Sequence, residues 1–154
     1  MRIALGADHA GVQLKTEIRR LLDERGIAYT DFGTDTSDSV DYPDYADTVA
    51  HAVADGSHDR GLLFCGSGIG MAIAANKVPG IRAASVTDQE SARLSREHND
   101  ANVLALGERL TPAATARDLV ATFLDTPFAG GRHQRRVDKI SALDRQLPAS
   151  TGSS

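Results

Sequence analysis

Residues 60–77 read Arg60-Gly61-Leu62-Leu63-Phe64-Cys65-Gly66-Ser67-Gly68-Ile69-Gly70-Met71-Ala72-Ile73-Ala74-Ala75-Asn76-Lys77. An apolar run, a glycine-rich turn and an Ala-rich segment of good helix propensity follow one another without a gap. A strand, a loop and a helix in that order aim several backbone N–H groups at one point, where an anion can sit. Cys65, the single cysteine of the chain, stands at the lip of that loop. A helix start behind a thiol favours its thiolate, Ser67 adds a hydroxyl, and the loop amides could stabilise an oxygen that becomes negative. The plainer reading is a tight strand–helix turn around a buried, inert sulfur.

Spacing removes the familiar nucleotide loops. A Walker-type loop needs Lys and Ser or Thr after its last glycine, and Met71-Ala72 stand there. The dinucleotide fingerprint would need glycine at position 71 and normally follows the first strand. A phosphatase-type loop would place arginine where Met71 is found.

Outward from this unit, strand-like and helix-like segments alternate. Arg2–Gly6, Ile27–Phe32, Arg60–Phe64, Ile81–Val86 and Asn102–Leu106 are expected as strands. Between them, Val12–Arg25 places Val12, Leu14, Ile18, Leu21 and Leu22 at near-helical spacing, with Gly26 as the stop. Asp35–Asp41 is loop-like, and Asp44–Asp55 is expected as a helix closed by Gly56. Gly68–Lys77 is the helix after the glycine turn, and Asp88 caps another that runs to about Glu97. Thr111-Pro112 starts a helix to Leu124, with proline at its first position. After Gly130-Gly131, a last amphipathic segment spans Val137–Leu147, with Ile140, Leu143 and Leu147 on one side. This alternation implies an α/β fold: a Rossmann-like, doubly wound, five-stranded parallel sheet flanked by helices. Residues 1–147 form one domain, and 148–154 a small polar, frayed tail. Ligands of such sheets bind beyond the carboxyl ends of the strands. Asp8-His9, Cys65-Gly66, Thr87-Asp88 and Glu108-Arg109 gather there.

The 154 residues carry a net charge of −4, which argues against nucleic acid or an anionic membrane as the main partner. One cysteine cannot close an intrachain disulfide, the amino terminus lacks a signal-peptide core, and no apolar run approaches the length of a membrane helix. A cytoplasmic protein is expected. No His, Cys and carboxylate set has metal-ligand spacing, so no metal is expected.

Other groups each carry two readings. Asp8-His9 is either a structural hydrogen-bonding pair or part of a site at the ligand edge. His51 and His58 read as surface residues. Arg132 and Arg136 lie four apart, hence on one face if a helix starts there, which suits a phosphate. His98 ends a helix that climbs about 15 Å at about 1.5 Å per residue, away from the ligand edge. It is therefore either structural or a contributor to the site of a neighbouring subunit, and the second is the expectation.

The combination resembles the ribose-5-phosphate isomerase B family, which includes the galactose-6-phosphate isomerase subunits. The matching pieces are Gly6-Ala7-Asp8-His9-Ala10-Gly11, Asp41-Tyr42-Pro43-Asp44-Tyr45-Ala46, the Cys65–Gly70 turn with Ile73-Ala74-Ala75-Asn76-Lys77, Ser95 through Leu104, and Gly130 through Arg136. The resemblance implies a cofactor-free aldose–ketose isomerase of a phosphorylated sugar, interconverting ribose 5-phosphate and ribulose 5-phosphate. It also implies a homodimer or dimer of dimers, with the C-terminal helix packed on a partner subunit and the site shared between subunits. By the same resemblance, Cys65 is the base that moves a proton between C1 and C2, and His98 the acid that opens the sugar ring, with Asp8 nearby. Gly66, Ser67, Gly68, Ile69 and Gly70 form the anion hole, where the Ser67 hydroxyl joins the catalytic groups. His9, Arg109, Arg132 and Arg136 are phosphate ligands, and Asn99 and Tyr42 contact the sugar. Ser67 stands where Thr is usual, so the hydroxyl is kept. Ile69 occupies the position of a glutamate base in members that lack the cysteine. A hexose 6-phosphate or a tetrulose phosphate is the alternative substrate, and a non-catalytic phosphosugar-binding domain the alternative class.

Overall fold

The computed structural model describes residues 1–144. Its elements are β1 (Arg2–Ala7), α1 (Val12–Glu24), β2 (Ala28–Asp31), α2 (Tyr42–Ala54), β3 (Arg60–Cys65), α3 (Ile69–Ala75), β4 (Ala83–Ser85), α4 (Gln89–Glu97), β5 (Val103–Gly107), α5 (Ala113–Asp125) and α6 (Arg132–Asp144). All five strands run parallel, in the order β2-β1-β3-β5-β4. The expected doubly wound α/β sandwich is the fold that forms.

Two cores follow from the period-2 alternation of the central strands. Ile3, Leu5, Leu62, Phe64, Leu104 and Leu106 point to one face, where α1, α4 and α5 cover them. Ala4, Leu63, Cys65, Val103 and Ala105 point to the other, under α2 and α3. Burial on both faces explains why these strands read as unbroken apolar runs.

Several boundaries differ from the sequence reading. α2 begins at Tyr42 because Pro43, in its first turn, gives up only an N–H that has no helical partner. Pro112 precedes α5 rather than opening it: its ψ of 150° is extended, and its carbonyl accepts the Ala116 N–H at 2.9 Å. Gly68 has φ +80° and stands before α3 as its cap, outside the helix. Asp88 caps α4 as expected, accepting the Ser91 N–H at 2.8 Å, and that bond holds its carboxyl below the usual carboxylate range. α6 starts five residues ahead of the expected Val137, directly after Gly130 and Gly131, whose φ values are +66° and +54°. The end of the expected Val137–Leu147 segment and the tail 148–154 lie outside the described residues. Among the described residues no helix is long and apolar enough to cross a membrane.

Strand register brings the functional edge together. Ala7 pairs with Phe64, and Cys65 pairs with Gly107, so three strand ends stop at one level. The turn after Cys65 folds back onto β5, where a Cβ built on Gly107 would lie 2.4 Å from the Ser67 carbonyl carbon and 2.6 Å from its Cα. Only a glycine fits there. Gly107→Ala should therefore cost about 1–3 kcal/mol of stability by overpacking. Chemical denaturation with parallel activity measurement checks this. The expected result is a lower midpoint together with lost activity, because the turn must lift off β5; wild-type values in both would mean that the turn does not rest there.

Candidate active site

Three loops meet over the carboxyl ends of β1, β3 and β5. The backbone fastens them to one another before any side chain contributes. Asp8 N–H donates to the Phe64 carbonyl at 3.1 Å, Glu108 N–H to the Cys65 carbonyl at 2.8 Å, and Arg109 N–H to the Gly66 carbonyl at 3.0 Å. Gly11 lies so close to Phe64 that a Cβ there would be 2.4 Å from the Phe64 carbonyl. Glu108 caps α1 from a distance, accepting the Leu14 N–H at 2.8 Å where Gly11 offers no side chain.

An open pocket of about 440 Å³ lies over this junction, lined by Asp8, His9 and Ala10, by Tyr42, by Cys65, Gly66, Ser67, Ile69 and Gly70 of the turn, and by Ile73 and Arg109. Cys65 is 4% exposed: it packs at the edge of the core under α2 and α3 and also lines that pocket. Its Sγ accepts the Gly68 N–H at 3.1 Å. The Ser67 hydroxyl accepts the Ile69 N–H at 3.2 Å and keeps its own proton to donate. Two of the five amides expected in the anion hole, those of Gly68 and Ile69, are therefore engaged inside the turn. Arg109 lays its guanidinium over Gly66, where a Cβ would be 2.9 Å from Nη1. Tyr42 closes the opposite side, its ring lying 2.6 Å from where a Gly70 Cβ would project.

Asp8 is buried, and its Oδ1 accepts the Ala10 N–H at 2.9 Å. His9 Nδ1 accepts the Val40 N–H at 3.1 Å, so the ring carries its proton on Nε2. That nitrogen is a donor.

His98, Asn99, Arg132 and Arg136 do not line this pocket. They form a second group, where the end of α4 meets the start of α6. The His98 and His133 rings stack 4.2 Å apart, only 14° from parallel. Loss of water around His133, then the charges of His98, Arg132 and Arg136, hold its imidazole below the usual histidine range. Asp100 supports the turn beneath them with φ 47°, braced by the buried Arg96 at 2.8 Å. Asn99 faces a separate cavity of about 260 Å³, lined also by Asn76, Arg82, Ser95 and Ile140. With α6 starting at Arg132, Arg132 and Arg136 share one helix face.

The sequence reading of the other histidines holds for one of two. His51 is exposed on α2. His58 is buried, 8% exposed: its ring joins Ser57 Oγ and Thr30 Oγ1, each at 2.9 Å, and packs edge-on against Phe32. Lys15 was not singled out from sequence, and Glu108 was placed at the ligand edge but not as the cap of α1, since their partners come from distant parts of the chain. Among the described residues no three His, Cys, Asp or Glu side chains group as a metal site would require.

The profile of the Ribose/Galactose Isomerase family matches residues 3–140. Ribose-5-phosphate isomerase B of Escherichia coli (strain K12) is 49% identical over 145 residues, covering 94% of this chain and 97% of that protein. D-erythrulose-4-phosphate isomerase of Pectobacterium atrosepticum is 45% identical over 147 residues, covering 95% and 97%. The solved structure of Clostridium thermocellum ribose-5-phosphate isomerase B matches with a TM-score of 0.93 at 53% identity, over 95% of this chain and 99% of that one. A match from the first strand to the last helix, on the same sheet, settles the kinship: the chain belongs to the Ribose/Galactose Isomerase family.

Proposed function

We propose that the protein interconverts ribose 5-phosphate and ribulose 5-phosphate, with Cys65 as the base that carries the proton between C2 and C1. The observation that carries this reading is the position of Cys65 Sγ. Cys65 lines an open pocket together with His9 and Arg109, and its Sγ accepts an N–H from its own turn. The 49% identity to an enzyme named for ribose 5-phosphate supports the substrate.

In this reading the open-chain aldose lies with C2 against Cys65. The thiolate takes the C2 proton, the C–H electron pair becomes the C1–C2 double bond of an enediolate, and the carbonyl oxygen O1 becomes negative. The turn's remaining amides and the Ser67 hydroxyl stabilise that oxygen, and each such donor is worth about 10²–10³ in rate. The thiol then returns the proton to C1 while the O2 hydroxyl proton passes to O1, so that O2 becomes the carbonyl oxygen and O1 the hydroxyl of the ketose. The phosphate takes no part in bond changes and orients the sugar through His9 Nε2–H and Arg109, so its binding energy serves positioning. Tyr42 contacts the sugar from the side.

His98, Asn99, Arg132 and Arg136 complete the site from a second copy of the chain. Support for this comes from their separation from the Cys65 pocket and from the surface around them. Val137 is the only buried residue of α6, whereas Ile140 and Leu143 are 41% and 58% exposed. Ile69 and Ile73 beside the pocket are also exposed, at 55% and 59%. A two-fold dimer would bury such apolar faces and place His98 over the partner's pocket to open the furanose ring. A four-carbon substrate is the second reading, favoured by the 45% identity to the erythrulose-4-phosphate enzyme.

Two measurements test these readings. Cys65→Ala should lower kcat by about 10²–10⁴-fold, the contribution of a positioned proton-transfer group. Its affinity for inorganic phosphate should stay unchanged, and substantial residual turnover would remove Cys65 as the base. A kinetic panel of four-, five- and six-carbon aldose phosphates, ranked by kcat/KM, should place ribose 5-phosphate first. A four-carbon substrate in first place would replace the substrate assignment and leave the chemistry intact.

A further inference from the structure

Among the described residues, the most deeply buried charge that this mechanism does not use is Lys15. It lies on the inner face of α1, and its side chain is 1% exposed. Its Nζ sits 2.8 Å from Asp31 Oδ1 and 3.0 Å from Asp35 Oδ1, and it donates to the Thr34 carbonyl. The three acceptors match the three donors of an ammonium. Asp31 is itself tied down, with Oδ1 accepting the Gly33 N–H at 2.8 Å and Oδ2 facing Arg19 at 3.2 Å. An ion pair at such a place is a poor device for stability alone, because hydrocarbon of the same volume commonly serves as well or better. What hydrocarbon cannot do is hold residues 31, 34 and 35 at one point.

Those residues begin the loop that joins β2 to Tyr42 at the pocket. Gly33 and Thr34 run beside the end of β1: the Ala7 N–H donates to the Gly33 carbonyl and the Thr34 N–H to the Ala7 carbonyl, each at 2.7 Å. Asp8 and His9 follow at once. The far end of the loop returns through Val40, whose N–H donates to His9 Nδ1 at 3.1 Å, and two residues later Tyr42 reaches the Gly70 wall of the pocket. A loop free to drift would take the Val40 N–H with it, and His9 would lose the bond that keeps its proton on Nε2.

We propose that Lys15 is a positioning residue of the sugar-phosphate site: its buried ammonium clamps residues 31–35 so that the Val40 N–H holds His9 with Nε2–H turned to the phosphate. The inference rests on the phosphate role given to His9 above. It separates Lys15 from the groups that touch substrate, since it acts only through the loop.

The test is a double-mutant cycle on the full-length enzyme with ribose 5-phosphate: wild type, His9→Ala, Lys15→Met and the double variant. His9→Ala should raise KM about 10-fold, the size of one lost charge-assisted contact. Lys15→Met should raise KM by a similar factor with kcat within about 3-fold, and the double variant should be no worse than His9→Ala alone. Full additivity, or a wild-type KM for Lys15→Met, overturns the inference. An unchanged KM for His9→Ala overturns the phosphate role of His9 instead, and the inference built on it. If Lys15→Met does not fold, the decision passes to Asp35→Asn, since Asp35 is 74% exposed and replaceable on stability grounds. That variant should raise KM in the wild-type background and leave it unchanged in the His9→Ala background. Any other pattern counts against Lys15.

Discussion

A missing methyl group organises the site. Because Gly107 carries no side chain, the backbone of Ser67 can rest directly on the end of β5. That seat fixes the height of the Cys65–Gly68 turn above the sheet. The Glu108 and Arg109 amides then bond back to Cys65 and Gly66, and Asp8 bonds to Phe64 from the other side. Three strand ends thus become one rigid platform, on which His9, Cys65 and Arg109 stand over a common pocket. Rigid elements position reacting groups better than loops do, and here even the loops are tied to strands.

The proposed mechanism also asks for groups that the platform does not hold. The platform offers a sulfur, a hydroxyl, amides and two groups suited to phosphate, yet the second cluster, around His98 and Arg132, faces elsewhere. The helix that carries Arg132 and Arg136 keeps its apolar residues Ile140 and Leu143 exposed. Under the proposed dimer both facts have one cause: the same symmetric contact buries the apolar faces and brings ring-opening and phosphate-binding groups to the neighbouring pocket.

Much of this was legible in the sequence, for reasons that can be stated. Strand–helix alternation and apolar runs of five or six residues announce a parallel sheet, and a parallel sheet fixes which loops share an edge. Asp8-His9, Cys65-Gly66 and Glu108-Arg109 could therefore be placed together before any coordinates. The failures have physical causes as well. The first turn of α6, Arg132–Arg135, is wholly polar and shows no apolar period, so a start there was raised only as a condition for Arg132 and Arg136 sharing a face, and the amphipathic segment was expected from Val137. His58 looks like a surface residue until Thr30, on a different element, supplies its hydrogen bond. Lys15 reads as an ordinary helix lysine because burial of an ammonium depends on Asp31 and Asp35, which no local pattern connects to it. Long-range polar partners leave no period in the chain.

The claim that catalysis needs groups from two copies can be tested directly by subunit mixing. Cys65→Ala and His98→Asn proteins, each inactive alone, are combined under conditions that allow exchange, and the hybrids are confirmed by mass. Random re-assortment makes about half of the dimers hybrid, each with one intact site of two, so activity should return to about a quarter of wild type. Confirmed hybrids with no recovered activity would show that Cys65 and His98 do not meet across an interface.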